Sequence, residues 1–303
     1  MSIISKNITK LYGKQKALDD VSFAIQPGEV VGLLGPNGAG KSTMMKIITC
    51  FIPPTSGEVT VDGYDVMDNS IEVRKIIGYL PEHNPLYMDM YVKEYLLYIA
   101  GIYKLGKIKK ERISEIIDIT GLGPEQNKKI GALSKGFCQR TGLAQTLLHY
   151  PDVLILDEPT SGLDPNQLLE IRNLIKKIGK EKTILLSTHI MQEVEAICDR
   201  VIIIHEGRIV ADDSTSNLSK ISTNQDIITV EFSDKVSGEA LSVIPGVIKA
   251  KNLKDFIWEI SANPKKDIRK DIFQFAVSNQ LTVLSMNKEI KSLEEVFRSL
   301  TKK

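Results

Sequence analysis

Residues 35–42 read GPNGAGKS and lie between the apolar run Val30–Leu34 and a helical pattern that opens at Thr43. Glycine has no β-carbon, so successive backbone N–H groups in such a loop can turn inward and form a concave nest for phosphate oxygens. Gly35, Pro36, Asn37, Gly38, Ala39 and Gly40 are the expected cradle, closed by Lys41, Ser42 and Thr43. Lys41 adds a point charge near the outer phosphates, and Ser42 offers its hydroxyl to a magnesium ion. The helix that follows presents its N-terminus to the same place, which favours an anion.

The chain has 303 residues, enough for one large and one small domain with a sizeable core. Lysine and arginine number 39 against 38 acidic residues, a net charge of +1. That balance gives no electrostatic case for direct nucleic-acid binding. Cys50, Cys138 and Cys198 stand far apart, without metal-ligand spacing or a paired framework, so a reduced, cytoplasmic protein is expected. The start MSIISKNITK lacks the basic and apolar stretches of a secretion signal. No apolar run approaches the roughly 20 residues that span a bilayer, so any membrane role must come through a partner.

Short runs of Val, Ile and Leu recur at 30–34, 153–156, 184–186 and 201–204, separated by helical patterns at 43–52, 137–149, 166–178 and 190–198. Continuous apolar strands alternating with helices predict an α/β fold with a mainly parallel sheet. Residues 3–9, 17–25 and 59–61 alternate more and predict a small antiparallel sheet. From Leu86 to Gly121 the pattern is helical, an insertion placed at about 83–148. Asp, Ser, Thr and Asn cluster in DSTSNLSKISTNQ, which predicts a linker at 216–225 between a domain at 1–215 and a small α/β domain at 226–303. In the latter, Ile228, Val230 and Phe232 alternate, as do Phe256, Trp258 and Ile260; Ile268, Ile272, Phe275 and Ala276 take helical spacing, and so do Leu293, Val296, Phe297 and Leu300.

VLILDE at 153–158 is a buried strand ending in two carboxylates. Asp157 can hold magnesium opposite Ser42, and Glu158 can polarise the water that attacks a γ-phosphate. His189 follows another buried strand in ILLSTH and can hydrogen-bond the same phosphate. Ser134 is a natural N-cap and Gly136 permits close approach, so the helix opening there is a second anion site.

In these ordered motifs, over roughly residues 1–215, the chain resembles the nucleotide-binding subunits of ATP-binding cassette (ABC) transporters. The resemblance implies the P-loop NTPase fold of ABC-ATPase type: a parallel-sheet core, an N-terminal antiparallel subdomain and a helical insertion, here with a small C-terminal α/β domain. It implies that residues 35–43 bind ATP with Mg2+, and that Tyr12 stacks on adenine. Ser134 and Gly136 match the signature motif, which reaches the γ-phosphate held by the opposite protomer. Ser161 to Asp164, SGLD, matches the loop linking the two sites, and His189 matches the switch histidine. A homodimer or paired ABC subunit is therefore expected, driving separate transmembrane permease subunits and lying peripherally on the cytoplasmic face of the membrane. A closer resemblance, in GYLPEHNPLYMDMYVKEYL (78–96), DPNQLLEIRN (164–173) and STHIMQEVEAICDRVIIIHEGRIVADD (187–213), is to the ATP-binding subunit of the gliding-motility-associated transporter.

Three residues, in two motifs, depart from the family pattern. Lys135 and Phe137 stand where the signature usually has glycine and glutamine, and Glu82 stands where the lid loop commonly has glutamine. A carboxylate about 5 Å from a phosphate charge costs roughly 3 kcal/mol at an effective dielectric of about 20. Glu82 is therefore expected to face the metal or water, or to swing away. Tyr87, Tyr91, Tyr95 and Tyr98 recur at steps of four, four and three, which predicts one side of a helix. Such a stripe serves either as the core of the insertion or as an interface with a membrane-spanning subunit. The rival function, a soluble ABC-type ATPase that remodels nucleic acid or ribosomes, would carry two cassettes in one chain or a long coiled coil. Neither pattern is present in the sequence.

Overall fold

The computed structural model describes residues 2–221, 226–263, 267–289 and 297. It divides the chain into two units, Met1–Thr215 and Ser216–Lys303. In chain order the first unit has strands β1 (Ile3–Tyr12), β2 (Gln15–Ile25), β3 (Val30–Leu34), β4 (Ser56–Val61), β5 (Tyr64–Asp65), β6 (Ile77–Leu80), β7 (Val153–Asp157), β8 (Thr183–Thr188), β9 (Arg200–His205) and β10 (Arg208–Ser214). Its helices are α1 (Lys41–Ile48), α2 (Ser70–Ile76), α3 (Val92–Ile102), α4 (Lys109–Thr120), α5 (Lys135–Leu147), α6 (Pro165–Gly179) and α7 (Met191–Ile197).

The strands form two sheets. A six-stranded sheet runs β10-β9-β3-β8-β7-β6, parallel apart from the antiparallel β10. Every residue of β3, β7 and β8 is buried, which is what unbroken apolar runs need when helices cover both faces. A four-stranded antiparallel sheet, β2-β1-β4-β5, carries the alternating N-terminal stretches. One core joins the two, with Ile3, Ile8, Leu18 and Ile25 packed among Leu33, Met44, Ile47 and Ile155. The expected α/β cassette is therefore present, with α3, α4 and α5 as the helical insertion.

The second unit contains strands β11 (Asp226–Phe232), β12 (Val247–Lys254), β13 (Ile257–Ala262) and β14 (Val283–Glu289), with α9 (Gly238–Ser242) after β11 and α10 (Arg269–Ser278) after β13. The antiparallel order β12-β13-β11-β14 makes it a split β-α-β unit. Ile228, Val230, Phe232, Trp258 and Ile260 pack against Leu241, Ile272 and Ala276 in a core of their own.

Three local features differ from the sequence reading. The stretch read as a linker at 216–225 is helical over α8 (Thr215–Ile221), since Thr, Ser and Asn are tolerated in the first turn of a helix; residues 222–225 lie outside the described residues. The helix after the glycine loop starts at Lys41, two residues before Thr43. Tyr87 and Tyr91 precede α3, so the four tyrosines do not share one helix. Tyr95 alone among them is buried, while Tyr87 folds back to contact the rings of Tyr95 at 6.0 Å and Tyr98 at 5.7 Å. The helical spacing at Leu293, Val296 and Leu300 lies outside the described residues. Among the described residues, no helix is long and apolar enough to cross a membrane.

Candidate active site

A cleft of about 490 Å³ opens at the C-terminal ends of the parallel strands. Tyr12, Asn37, Gly38, Ala39, Gly40, Lys41, Ser42, Thr43, Glu82, Glu158 and His189 line it, together with Gln15, Ala17 and Ser161. Gly35 and Pro36 turn the chain from β3 into this loop. At Gly40 φ is 111°, and a β-carbon would lie 2.6 Å from the Ala17 carbonyl oxygen, so only glycine fits the turn into α1. The sequence thus places the loop, and the sheet places the carboxylates beside it.

Lys41 is buried, and its ammonium donates to the Gly35 carbonyl at 2.8 Å and stands 3.5 Å from Glu158 Oε1. The other carboxylate oxygen of Glu158 meets His189 Nδ1 at 2.9 Å. Asp157, from the end of β7, accepts from Ser42 Oγ at 3.2 Å and from Ser187 Oγ at 2.6 Å. Ser187 Oγ also accepts the Glu158 N–H at 2.9 Å. Ser187 therefore locks both carboxylate residues, a role the sequence reading did not assign; its signal was a hydroxyl at the buried end of an apolar strand. Burial pushes the Tyr79 phenol up to about 12, with the charges of Asp157 and Glu82 adding to the shift. The phenol stays protonated beside an acidic centre.

Among the described residues, no group of three or more His, Cys, Asp or Glu side chains makes a metal cage. Ser42 Oγ and Asp157 Oδ1 are two hard oxygen donors beside a phosphate-shaped loop, which suits Mg2+, an ion that keeps waters and takes substrate phosphates as ligands. Glu82 is exposed on the rim of the cleft.

The remaining predicted residues lie apart from this cleft. Ser134 is exposed and caps α5, accepting the Phe137 N–H at 3.4 Å. Gly136 is buried against the Gln167 side chain. Asp164 caps α6, accepting the Gln167 N–H at 2.9 Å. Lys135, which departs from the family pattern, reaches the loop at Gly162 with its ammonium.

The sequence model of the ABC transporter family matches residues 18–161. The chain is 40% identical over 239 residues to the bacitracin transport ATP-binding protein BcrA of Bacillus licheniformis, covering 78% of this chain and 77% of that one. The chain belongs to the ABC transporter ATP-binding proteins. The ABC transporter ATP-binding protein NatA of Bacillus subtilis is likewise 40% identical, with 74% of this chain and 92% of NatA covered. Among solved structures, a dimeric ATP-binding cassette in a post-hydrolysis state with ADP and Pi aligns at a TM-score of 0.63 and 31% identity, over 70% of this chain and 98% of that one. This ABC subunit is accordingly an ATPase. The rival reading as a nucleic-acid or ribosome remodeller finds no support among these relatives.

Proposed function

We propose that this ABC subunit works as a pair, hydrolysing ATP to drive separate membrane-spanning permease subunits from the cytoplasmic face of the membrane. The observation that carries the reading is Glu158, whose two carboxylate oxygens meet Lys41 and His189 at the mouth of the glycine loop. In this reading the backbone of residues 35–43 wraps the triphosphate, and Tyr12 packs on the adenine. Phosphate draws the Lys41 charge away from Glu158, leaving that carboxylate to take a proton from the attacking water while His189 donates to the γ-phosphate. Ser42 and Asp157 would hold Mg2+, with Glu82 facing it through water; the ion would neutralise the developing phosphate charge. Ser134 is exposed and absent from the lining of its own cleft, which supports its service, with Gly136 behind it, to the nucleotide of a second copy. Asp164 would hold the connecting loop.

Glu158→Gln tests both chemistry and pairing. Loss of a general base lowers turnover by roughly a hundredfold or more, and the variant is expected to elute as a dimer in MgATP. Wild-type turnover, or a monomer in MgATP, would overturn the reading.

The exposed rings of Tyr87, Tyr91 and Tyr98, beside exposed Met88, are the surface offered to the permease. Alanine at Tyr91 or Tyr98 is expected to abolish transport and spare basal ATPase. The finer assignment, to the gliding-motility-associated system, rests on the resemblance of residues 78–96, 164–173 and 187–213. Its test is loss of colony spreading when the coding sequence is deleted; unchanged spreading would remove it.

A further inference from the structure

β8 ends in two hydroxyl residues, and consecutive strand side chains face opposite sides of a sheet. Ser187 takes the side of Asp157 and Glu158. Thr188 takes the other: its Oγ1 donates to Glu193 Oε2 at 2.9 Å and accepts the Ile190 N–H at 3.0 Å. The same carboxylate oxygen receives the Thr160 hydroxyl at 2.5 Å. Thr160, Thr188 and Glu193 are 2%, 0% and 0% exposed, so solvent does not compete for these bonds.

The connectivity gives this triad its meaning. Thr160 lies two residues beyond Glu158 and opens the Ser161 to Asp164 loop, while Thr188 immediately precedes His189. One oxygen of Glu193, on α7, therefore fastens the two segments that carry the paired groups Glu158 and His189. Its other oxygen, Oε1, is buried without a protein partner. A buried carboxylate is a poor source of stability, since its desolvation cost rivals what its hydrogen bonds return. An apolar side chain would fill this space more cheaply, so position rather than stability accounts for the acid.

We propose that Glu193 is a positioning residue for hydrolysis. It holds the Thr160 and Thr188 hydroxyls so that Glu158 and His189 keep their contact, and it makes the loop after Glu158 and the turn at His189 move as one. The inference rests on the reading of Glu158 and His189 given above. It predicts a defect in turnover with nucleotide binding spared, because residues 35–43 make none of these bonds.

Steady-state MgATP hydrolysis by the full chain is the test. Thr160→Val removes one hydroxyl at nearly constant volume, and Glu193→Leu removes the shared acceptor. Each is expected to lower kcat about tenfold or more with KM within about twofold, since displacement of catalytic groups by an ångström costs up to a hundredfold. Thr160→Ser, which keeps the donor, should restore turnover to near wild type. The double variant should be no slower than Glu193→Leu alone, because the hydroxyl acts only through the carboxylate. Losses that multiply, or variants that melt earlier with unchanged kcat, would overturn the proposal. If Glu193→Leu does not fold, the contrast of valine and serine at Thr160 decides. A wild-type chain without turnover overturns the hydrolytic reading as well, whereas wild-type turnover that Thr160→Val leaves intact overturns only this one.

Discussion

Glu158 has φ of 49°, a left-handed conformation that costs a residue with a β-carbon about 1–2 kcal/mol. The bond from its N–H to Ser187 Oγ, and those from its carboxylate to Lys41 and His189, hold it there. A different residue, His149, sets a pH limit. Its Nε2 donates to the Ile77 carbonyl at 3.0 Å, its ring stacks on Tyr103 at 3.9 Å, and its Nδ1 is buried with no partner. Burial, helped by the nearby Arg112 charge and opposed by the Ile77 bond, lowers its pKa below 6.5. The unfolded chain then binds the extra proton first, so the stability His149 contributes is complete above pH 6.5 and is lost as pH falls through the lowered folded value. Urea unfolding as a function of pH should show a steeper loss below 6.5 in the wild type than in His149→Gln; parallel curves would remove His149 as the cause. Lys41, Ser42, Asp157, Glu158 and His189 were legible in the sequence because each sits in a motif with a mechanical reason for its spacing. Ser187, Thr160 and Glu193 were not, because a lone hydroxyl or acid shows its partners only once distant strands are brought together.

At the scale of elements, α5 is fixed at both ends. Ser134 caps its start, and Arg112 donates to the Leu147 and Leu148 carbonyls at its finish while stacking on the Tyr150 ring at 3.7 Å. Between them Asn84, from the loop that carries Glu82, donates to the Cys138 carbonyl at 2.9 Å and lies against Gly142. A β-carbon at Gly142 would come within 2.4 Å of the Asn84 amide. Alanine in a helix interior is worth up to about 1 kcal/mol over glycine, but overpacking costs about 1–3 kcal/mol. Gly142→Ala should therefore be neutral to destabilising in the wild type and stabilising by up to about 1 kcal/mol in an Asn84→Ala background. Stabilisation of equal size in both backgrounds, measured by urea unfolding, would show that the contact is slack. The strands β3, β7, β8 and β9 were legible as unbroken apolar runs. β6 was not, since four residues with Gly78 inside and Pro81 behind are too short a run to stand out, and its strand character comes from pairing with β7.

Among the described residues, the core built on Ile3, Leu33 and Ile155 and the core built on Ile228, Val230 and Ile260 have no residue in common. Every residue that lines the cleft belongs to the first unit. A ligand that binds only the folded state stabilises it by about 2.7 kcal/mol at a hundred times its dissociation constant. In a unit of this size each kcal/mol raises the melting temperature by about 2–4 °C, a total of roughly 5–11 °C. Separate cores and a one-sided site together predict two calorimetric transitions, of which MgATP raises only that of the first unit. Lys41→Ala removes the charge that meets the outer phosphates and should abolish that rise while leaving the transition of the second unit in place. One transition that shifts as a whole with MgATP would instead show that nucleotide energy reaches the split β-α-β unit, and would give that unit a part in the motor.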